Sequence, residues 1–202
     1  MRKSRDGEDT QQRVLAAAQE QFAKHGFSGT SLAAISQQSG ISEGLILYHF
    51  QNKRNLYQQV LETLADQYTE VLIHARDSAI SPLEMMTQTL KASFNFWKQD
   101  FDYQRISLWA YLEGEEKYIE KEAALTAGLA QSVVELQKQG LLDDSLSAPV
   151  LLTMIIGPIH YWLRYREQFK EALHLPDTLG ELDELFINQL TKFVMALSQC
   201  KE

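Results

Sequence analysis

Apolar residues recur every three or four positions along most of this chain, and runs of strict apolar–polar alternation bounded by turn residues are missing. The first pattern predicts amphipathic helices; the lack of the second leaves strands with little support. Over 10–25, Val14, Leu15, Ala18 and Phe22 mark one buried face, with Thr10 placed to cap it and Gly26 to stop it. A short helix is expected over 31–39, ended by Gly40. Ser42 caps a third that runs to about His49. Asn52 opens a long fourth toward Ala79.

The second half continues in the same way. Ser81-Pro82 opens a fifth helix whose apolar side is Met85, Met86, Leu90, Phe94 and Trp97. A short aromatic helix over 101–112 and a longer one over 115–139 follow, the latter stopped by Gly140. Ser147 and Pro149 open an eighth that runs to about Phe169, with a kink expected at Gly157-Pro158. The ninth covers 178–197. The expected fold is all-α: a three-helix unit in 1–52, joined by the fourth helix to a larger helical body in 53–202.

Composition limits what such a chain can be. The 202 residues are 45% hydrophobic, enough for a sizeable core. The single Cys200 excludes a disulfide framework within one chain and suits a reducing, cytoplasmic setting. The N-terminus carries basic residues but no apolar stretch after them, unlike a secretory signal. Residues 145–163 lack formal charge, but their Ser, Thr, Gly-Pro and His-Tyr content predicts a buried helix rather than a membrane span. The net charge of −8 is uneven: residues 1–55 sum to +2 and the remainder to −10. Only the N-terminal end is suited to lie beside a polyanion.

The stretch 31–50, SLAAISQQSGISEGLILYHF, then takes on a definite meaning. Leu32, Ile35 and Ser39 share one side of the first short helix. Gly40 permits the positive φ of a tight turn, Ile41 plugs it, and Ile46 and Phe50 bury the inner face of the second helix. Two short helices joined through such a turn make a helix-turn-helix, whose second helix can enter the DNA major groove. Ser42, Glu43, Leu45 and Tyr48 project from that helix. Thr30 offers a hydroxyl and a helix N-terminus to a phosphate, with His49 and Lys53 at the far end. Arg2, Lys3 and Arg5 read equally as a disordered tail or a minor-groove arm.

Residues 26–56 resemble the DNA-binding domain of TetR-family transcriptional regulators. The shared features are Gly26-Phe27, Gly29-Thr30-Ser31, Ile35, Gly40-Ile41-Ser42, Gly44, Tyr48-His49-Phe50, Lys53 and Leu56. The resemblance implies a homodimer with two such heads on a double-stranded DNA operator, a small-molecule pocket in the body, and repression released by an inducer. It implies phosphate contacts by Thr30, Tyr48, His49 and Lys53 and base-facing positions for Ser42, Glu43 and Leu45, with Ser31 and Gly44 also in the DNA-binding set. Glu43 stands where the family often has Lys, which points either to lower affinity or to a cytosine amino group as its target. Leu47 replaces a common Tyr.

In the body, Val150, Leu151, Met154, Ile155, Ile159, Trp162 and Leu163 face an apolar rhythm running from Leu179 to Leu197. By periodicity alone these two helices serve either the chain's own core or a homodimer's four-helix bundle; the resemblance favours a dimer through about 147–169 and 178–197. Aromatic residues with polar neighbours suggest a ligand site, for which Trp97, Trp109, Glu113, Met154, His160 and Tyr161 are the candidates. Glu113 would suit a cationic ligand, Arg105 or Arg164 an anionic one. The acidic run 113–122 mixes charge signs without His or Cys at ligand spacing, so it reads as a solvated face and no metal is expected. No catalytic motif occurs and the five histidines form no local pair, so neither an enzyme nor a cofactor is expected. The competing reading is a helical protein-interaction module that does not bind DNA.

Overall fold

The computed structural model describes residues 2–115, 120–175 and 177–197, with side chains throughout except at 2–6, 120 and 122. The described residues are all-α: α1 (Arg2–Gly29), α2 (Leu32–Ser39), α3 (Glu43–Phe50), α4 (Lys53–Asp77), α5 (Pro82–Gln99), α6 (Phe101–Glu113), α7 (Glu120–Lys138), α8 (Ala148–Ala172) and α9 (Leu179–Ala196). None of these helices is long and apolar enough to cross a membrane. Helix α1 begins well before Thr10, and the side chains of Arg2, Lys3 and Arg5 lie outside the described residues, as do Cys200 and much of 113–122. Among the described residues no acidic or histidine cluster could hold a metal ion.

Packing divides the chain into two compact units, residues 1–67 with 100–122 and residues 68–99 with 123–202. This line falls within α4 and differs from the functional boundary expected near residue 52. Helix α6 joins the first unit by packing against α1, and its Tyr103, Ile106 and Ala110 are buried.

The first unit is built on α1, whose buried Val14, Ala17, Ala18 and Phe22 follow the helical repeat. Phe22 meets the Tyr57 ring edge-on at 4.8 Å, and Phe27 lies 5.1 Å from the same ring. Burying each such aromatic stabilises the unit by about 1.5–3 kcal/mol. The helical path breaks at Gly26, where φ is 70° and ψ is −177°, a conformation essentially confined to glycine.

In the second unit α8 buries Leu151, Ile155, Ile159 and Leu163, one residue per turn, and runs unbroken through Pro158. Leu90, Phe94 and Trp97 from α5 and Leu182, Leu190 and Val194 from α9 complete the core. Helix α9 starts on a capping box in which Thr178 and Glu181 satisfy each other's backbone amides. The buried Asp183 ties three helices together. It accepts from Trp162 Nε1 at 2.9 Å, from Arg166 Nη1, and from Lys98 Nζ at 3.0 Å. Burial opposes its charge, but these three donors outweigh burial and hold its carboxyl below the usual range.

Candidate nucleic-acid interface and ligand cavity

Local chemistry fixes both short helices of the 31–50 stretch. Ser31 Oγ accepts from the Ala34 amide at 3.1 Å, and Ser42 Oγ accepts from the Leu45 amide at 3.4 Å. Each cap satisfies an amide that the first helical turn leaves without a partner. Gly40 ends α2 in the left-handed conformation at φ 69°, and its amide donates to the Ser36 carbonyl. Ser39 locks the turn from inside: its hydroxyl donates to the Ile35 carbonyl at 2.7 Å and accepts from the Ile41 amide at 3.2 Å. Arg13 reaches from α1 to the Ser39 carbonyl at 2.8 Å.

Three longer-range clamps then orient the turn before α2. Lys53 Nζ donates to the Phe27 carbonyl at 2.7 Å and the Thr30 carbonyl at 2.8 Å, and lies 4.4 Å from the Phe27 ring centroid. The Glu113 carboxylate accepts from the Phe27 amide at 2.8 Å and the Ser28 amide at 3.1 Å. Glu115 forms a two-pronged ion pair with Arg54, at 2.5 and 3.1 Å. Burial, reinforced by Glu113 and Glu115, pushes the Tyr57 hydroxyl well above the usual tyrosine range, so it stays neutral. The residues after Gly26 are therefore held by the end of α6 and the start of α4.

With its inner face anchored by the buried Ile46 and Phe50, α3 exposes Leu45, Leu47 and, at 79% of its surface, Tyr48. Glu43 and Gly44 are exposed beside them. A Cβ on Gly44 would meet nothing within 4 Å, so the fold does not require glycine there. His49 Nδ1 pairs with Gln11 Nε2 at 3.2 Å. Thr30 behaves differently from its neighbours. Only 3% of it is exposed, and its hydroxyl turns inward to the Gly26 and Gln21 carbonyls at 2.7 and 3.0 Å. The phosphate contact expected of its side chain is not open to it here.

The second unit holds a cavity of about 360 Å³. Leu72, Leu90, Leu129, Val133 and Ile155 supply much of its wall, with contributions from α4, α5, α7, α8 and α9.

Two family models match the chain. The first, bacterial regulatory proteins of the tetR family, covers residues 14–60; the second, the tetracyclin repressor-like C-terminal domain, covers 86–184. The chain belongs to the TetR family of transcriptional regulators. It is 27% identical to the HTH-type transcriptional regulator TtgR of Pseudomonas putida over 177 residues, covering 80% of this chain and 84% of that one. It is 23% identical to the HTH-type transcriptional repressor BepR of Brucella suis, covering 82% and 86%. Its fold matches a TetR family transcription regulator from Marinobacter aquaeolei with a TM-score of 0.74 at 20% identity, over 95% and 97% of the two chains.

This TetR-family regulator scatters the six residues expected at its ligand site. Trp109 and Glu113 belong to the first unit, where they press against Gly26. Trp97 and His160 pack together in the second unit with ring centroids 4.6 Å apart, but neither lines the cavity. Burial, aided by Arg164, lowers the His160 pKa to about 4. Met154 and Tyr161 are more than half exposed on the outer side of α8. The cavity's lining consists largely of aliphatic residues with Gly128, Ser132 and Thr89 between them. Such residues carry no signal beyond helical periodicity.

Proposed function

We propose that this regulator is a repressor that binds a palindromic operator as a homodimer in the cytoplasm, and that a small molecule in the cavity releases it. The DNA-reading part is residues 1–52, with α3 in the major groove. One observation carries this reading: a recognition helix whose inner face is fixed by Ile46, Phe50 and the Ser39 turn, and whose outer face presents Glu43, Gly44, Leu45 and Tyr48. The bare surface at Gly44 supports close approach of base edges. Tyr48, His49 and Ser31 are the proposed phosphate contacts, together with the remaining donor of Lys53. Glu43 is suited to accept from a cytosine amino group, and Leu45 to meet a thymine methyl.

Helix α4 supports the coupling. It is a single 25-residue helix whose first turn carries the Lys53 clamp and whose later turns, at Tyr68, Leu72 and Arg76, line the cavity. A ligand that favours one setting of α4 shifts the population of head positions. Two heads must meet half-sites about 34–36 Å apart, so a small rotation suffices to break the fit.

The proposed dimer face is the outer side of α8 and α9. Val150, Met154 and Tyr161 repeat at helical spacing on one side of α8 and are exposed, as are Leu185 and Phe193 on α9. Four such helices would bury these side chains in a bundle. Sedimentation of the protein with an operator duplex tests the reading: two chains per duplex are expected, and one chain per duplex, or no complex, would contradict it.

A further inference from the structure

We infer that the cavity selects a lipophilic anion, with an apolar body enclosed by the walls and an anionic group at Arg76. The inference rests on the cavity being the effector site proposed above, and deepens that reading by naming the ligand's chemistry.

Charge is the first observation. Arg76 is the one ionisable Lys, Arg, Asp, Glu or His side chain among the described residues of the wall. No carboxylate is among these described lining residues, so a cation brought against them would lose its water without gaining an anionic partner. The carboxylate expected to favour a cationic ligand, Glu113, caps the turn at Phe27 and Ser28 in the first unit instead.

Polarity of the interior is the second. Its hydroxyls are largely occupied by partners of their own. Tyr68 and Ser93 hydrogen-bond each other, and Ser132 donates to the Gly128 carbonyl of its own helix at 3.1 Å. What remains is aliphatic surface and the flexible Met85 and Met86, which adapt to a hydrocarbon of variable shape. At about 360 Å³ the cavity lies near the lower end of ligand-pocket sizes, roughly 300–1,000 Å³.

Position is the third. Arg76 also lines a neighbouring surface groove with Ile80, Pro82 and Gln139, so it stands where the cavity meets that groove. Its carboxylate partner is the adjacent Asp77, at 2.9 Å, and both side chains are well exposed. Exposed pairs of this kind are weak, so a ligand anion can take Asp77's place. Glu135, the acid that lines the groove, has Lys138 within 3.6 Å in a similarly exposed pair. The doorway therefore offers one exchangeable cation to a ligand whose tail lies inside.

Calorimetric titration of the full chain with dodecanoate, dodecan-1-ol and dodecylammonium, each kept below its micelle concentration, tests this. The expected result is one dodecanoate per chain, bound at least about tenfold more tightly than dodecylammonium. Arg76→Gln is expected to weaken dodecanoate about three- to fivefold while leaving dodecan-1-ol unchanged. Leu129→Trp, which fills the cavity, should abolish binding of all three. Equal or tighter binding of the ammonium, an unchanged carboxylate-to-alcohol ratio in Arg76→Gln, or no binding of dodecanoate would overturn the inference. DNA affinity is measured separately on the same samples. Selective dodecanoate binding that leaves operator affinity unchanged would uphold this inference and overturn the effector role of the cavity.

Discussion

The Lys53 ammonium group donates to the Thr30 carbonyl across 23 residues of sequence, at 2.8 Å, and so joins the start of α4 to the residue that precedes α2. With its second bond to the Phe27 carbonyl, Lys53 holds the turn that precedes α2. Hydrogen bonds from a charged group contribute about 1.5–3 kcal/mol. Lys53→Met is therefore expected to lower the unfolding free energy by about that amount and to weaken DNA binding. Urea unfolding monitored by circular dichroism checks the first part; unchanged stability would mean that the clamp does not hold in solution.

Gly44 separates folding from recognition. Among the described residues, nothing beyond its chain neighbours and its own helix backbone lies within 4 Å of where its Cβ would sit, and it occupies the first turn of α3. Replacing a helical glycine by alanine stabilises a helix by up to about 1 kcal/mol. Gly44→Ala should match or exceed the parent in thermal stability yet bind operator at least about tenfold more weakly. Undiminished affinity in a gel-shift titration would remove Gly44 from the interface.

Gly26 is constrained twice over. Its φ of 70° with ψ near −177° excludes other residues, and a Cβ there would lie 2.8 Å from Glu113 Oε1 and 3.0 Å from the Trp109 ring. Gly26→Ala is expected to destabilise the chain by about 2 kcal/mol or more through backbone strain and the displaced Glu113 cap. A loss below about 0.5 kcal/mol in chemical denaturation would show that the turn relaxes freely.

The contrast between Gly26 and Gly40 shows what the sequence made legible. Gly40, Ser31 and Ser42 act on residues within four positions of themselves, so their spacing alone announces the turn and both caps. Gly26 reads as a helix stop, but its second role depends on Glu113 and Trp109, more than 80 residues away. The same distance explains why Trp109 and Glu113 looked like ligand residues: aromatic density and charge on a short helix do not reveal which unit that helix joins. The place of Thr30 just before a helix points to an outward hydroxyl, yet α1 supplies two carbonyls that draw it inward. The cavity was the least legible feature, since an empty space is set by how five helices pack rather than by any residue type.

Histidine 160 gives the protein a pH dependence of defined sign. Its folded pKa, lowered to about 4 mainly by burial, lies below the unfolded value of about 6.5. Between those values the unfolded chain binds the proton and the folded chain does not, so stability rises with pH across this window. The expected loss on going from pH 7 to pH 5 is about 2 kcal/mol from this residue. His160→Gln should flatten that part of the profile, as read from urea midpoints at the two pH values. An equally steep profile in the variant would assign the effect to other groups.

The measurement that bears most directly on the central claim is selection of bound sequences from a pool of random duplexes, run side by side with the parent protein and Tyr48→Ala. Tyr48 is 79% exposed and supports no part of the core, so the variant folds normally. The account predicts one enriched palindrome for the parent, with affinity that falls steeply as salt rises, and no enrichment for Tyr48→Ala. Failure to enrich any sequence, or recovery of the same palindrome at the same affinity by the variant, would contradict recognition of DNA through the outer face of α3.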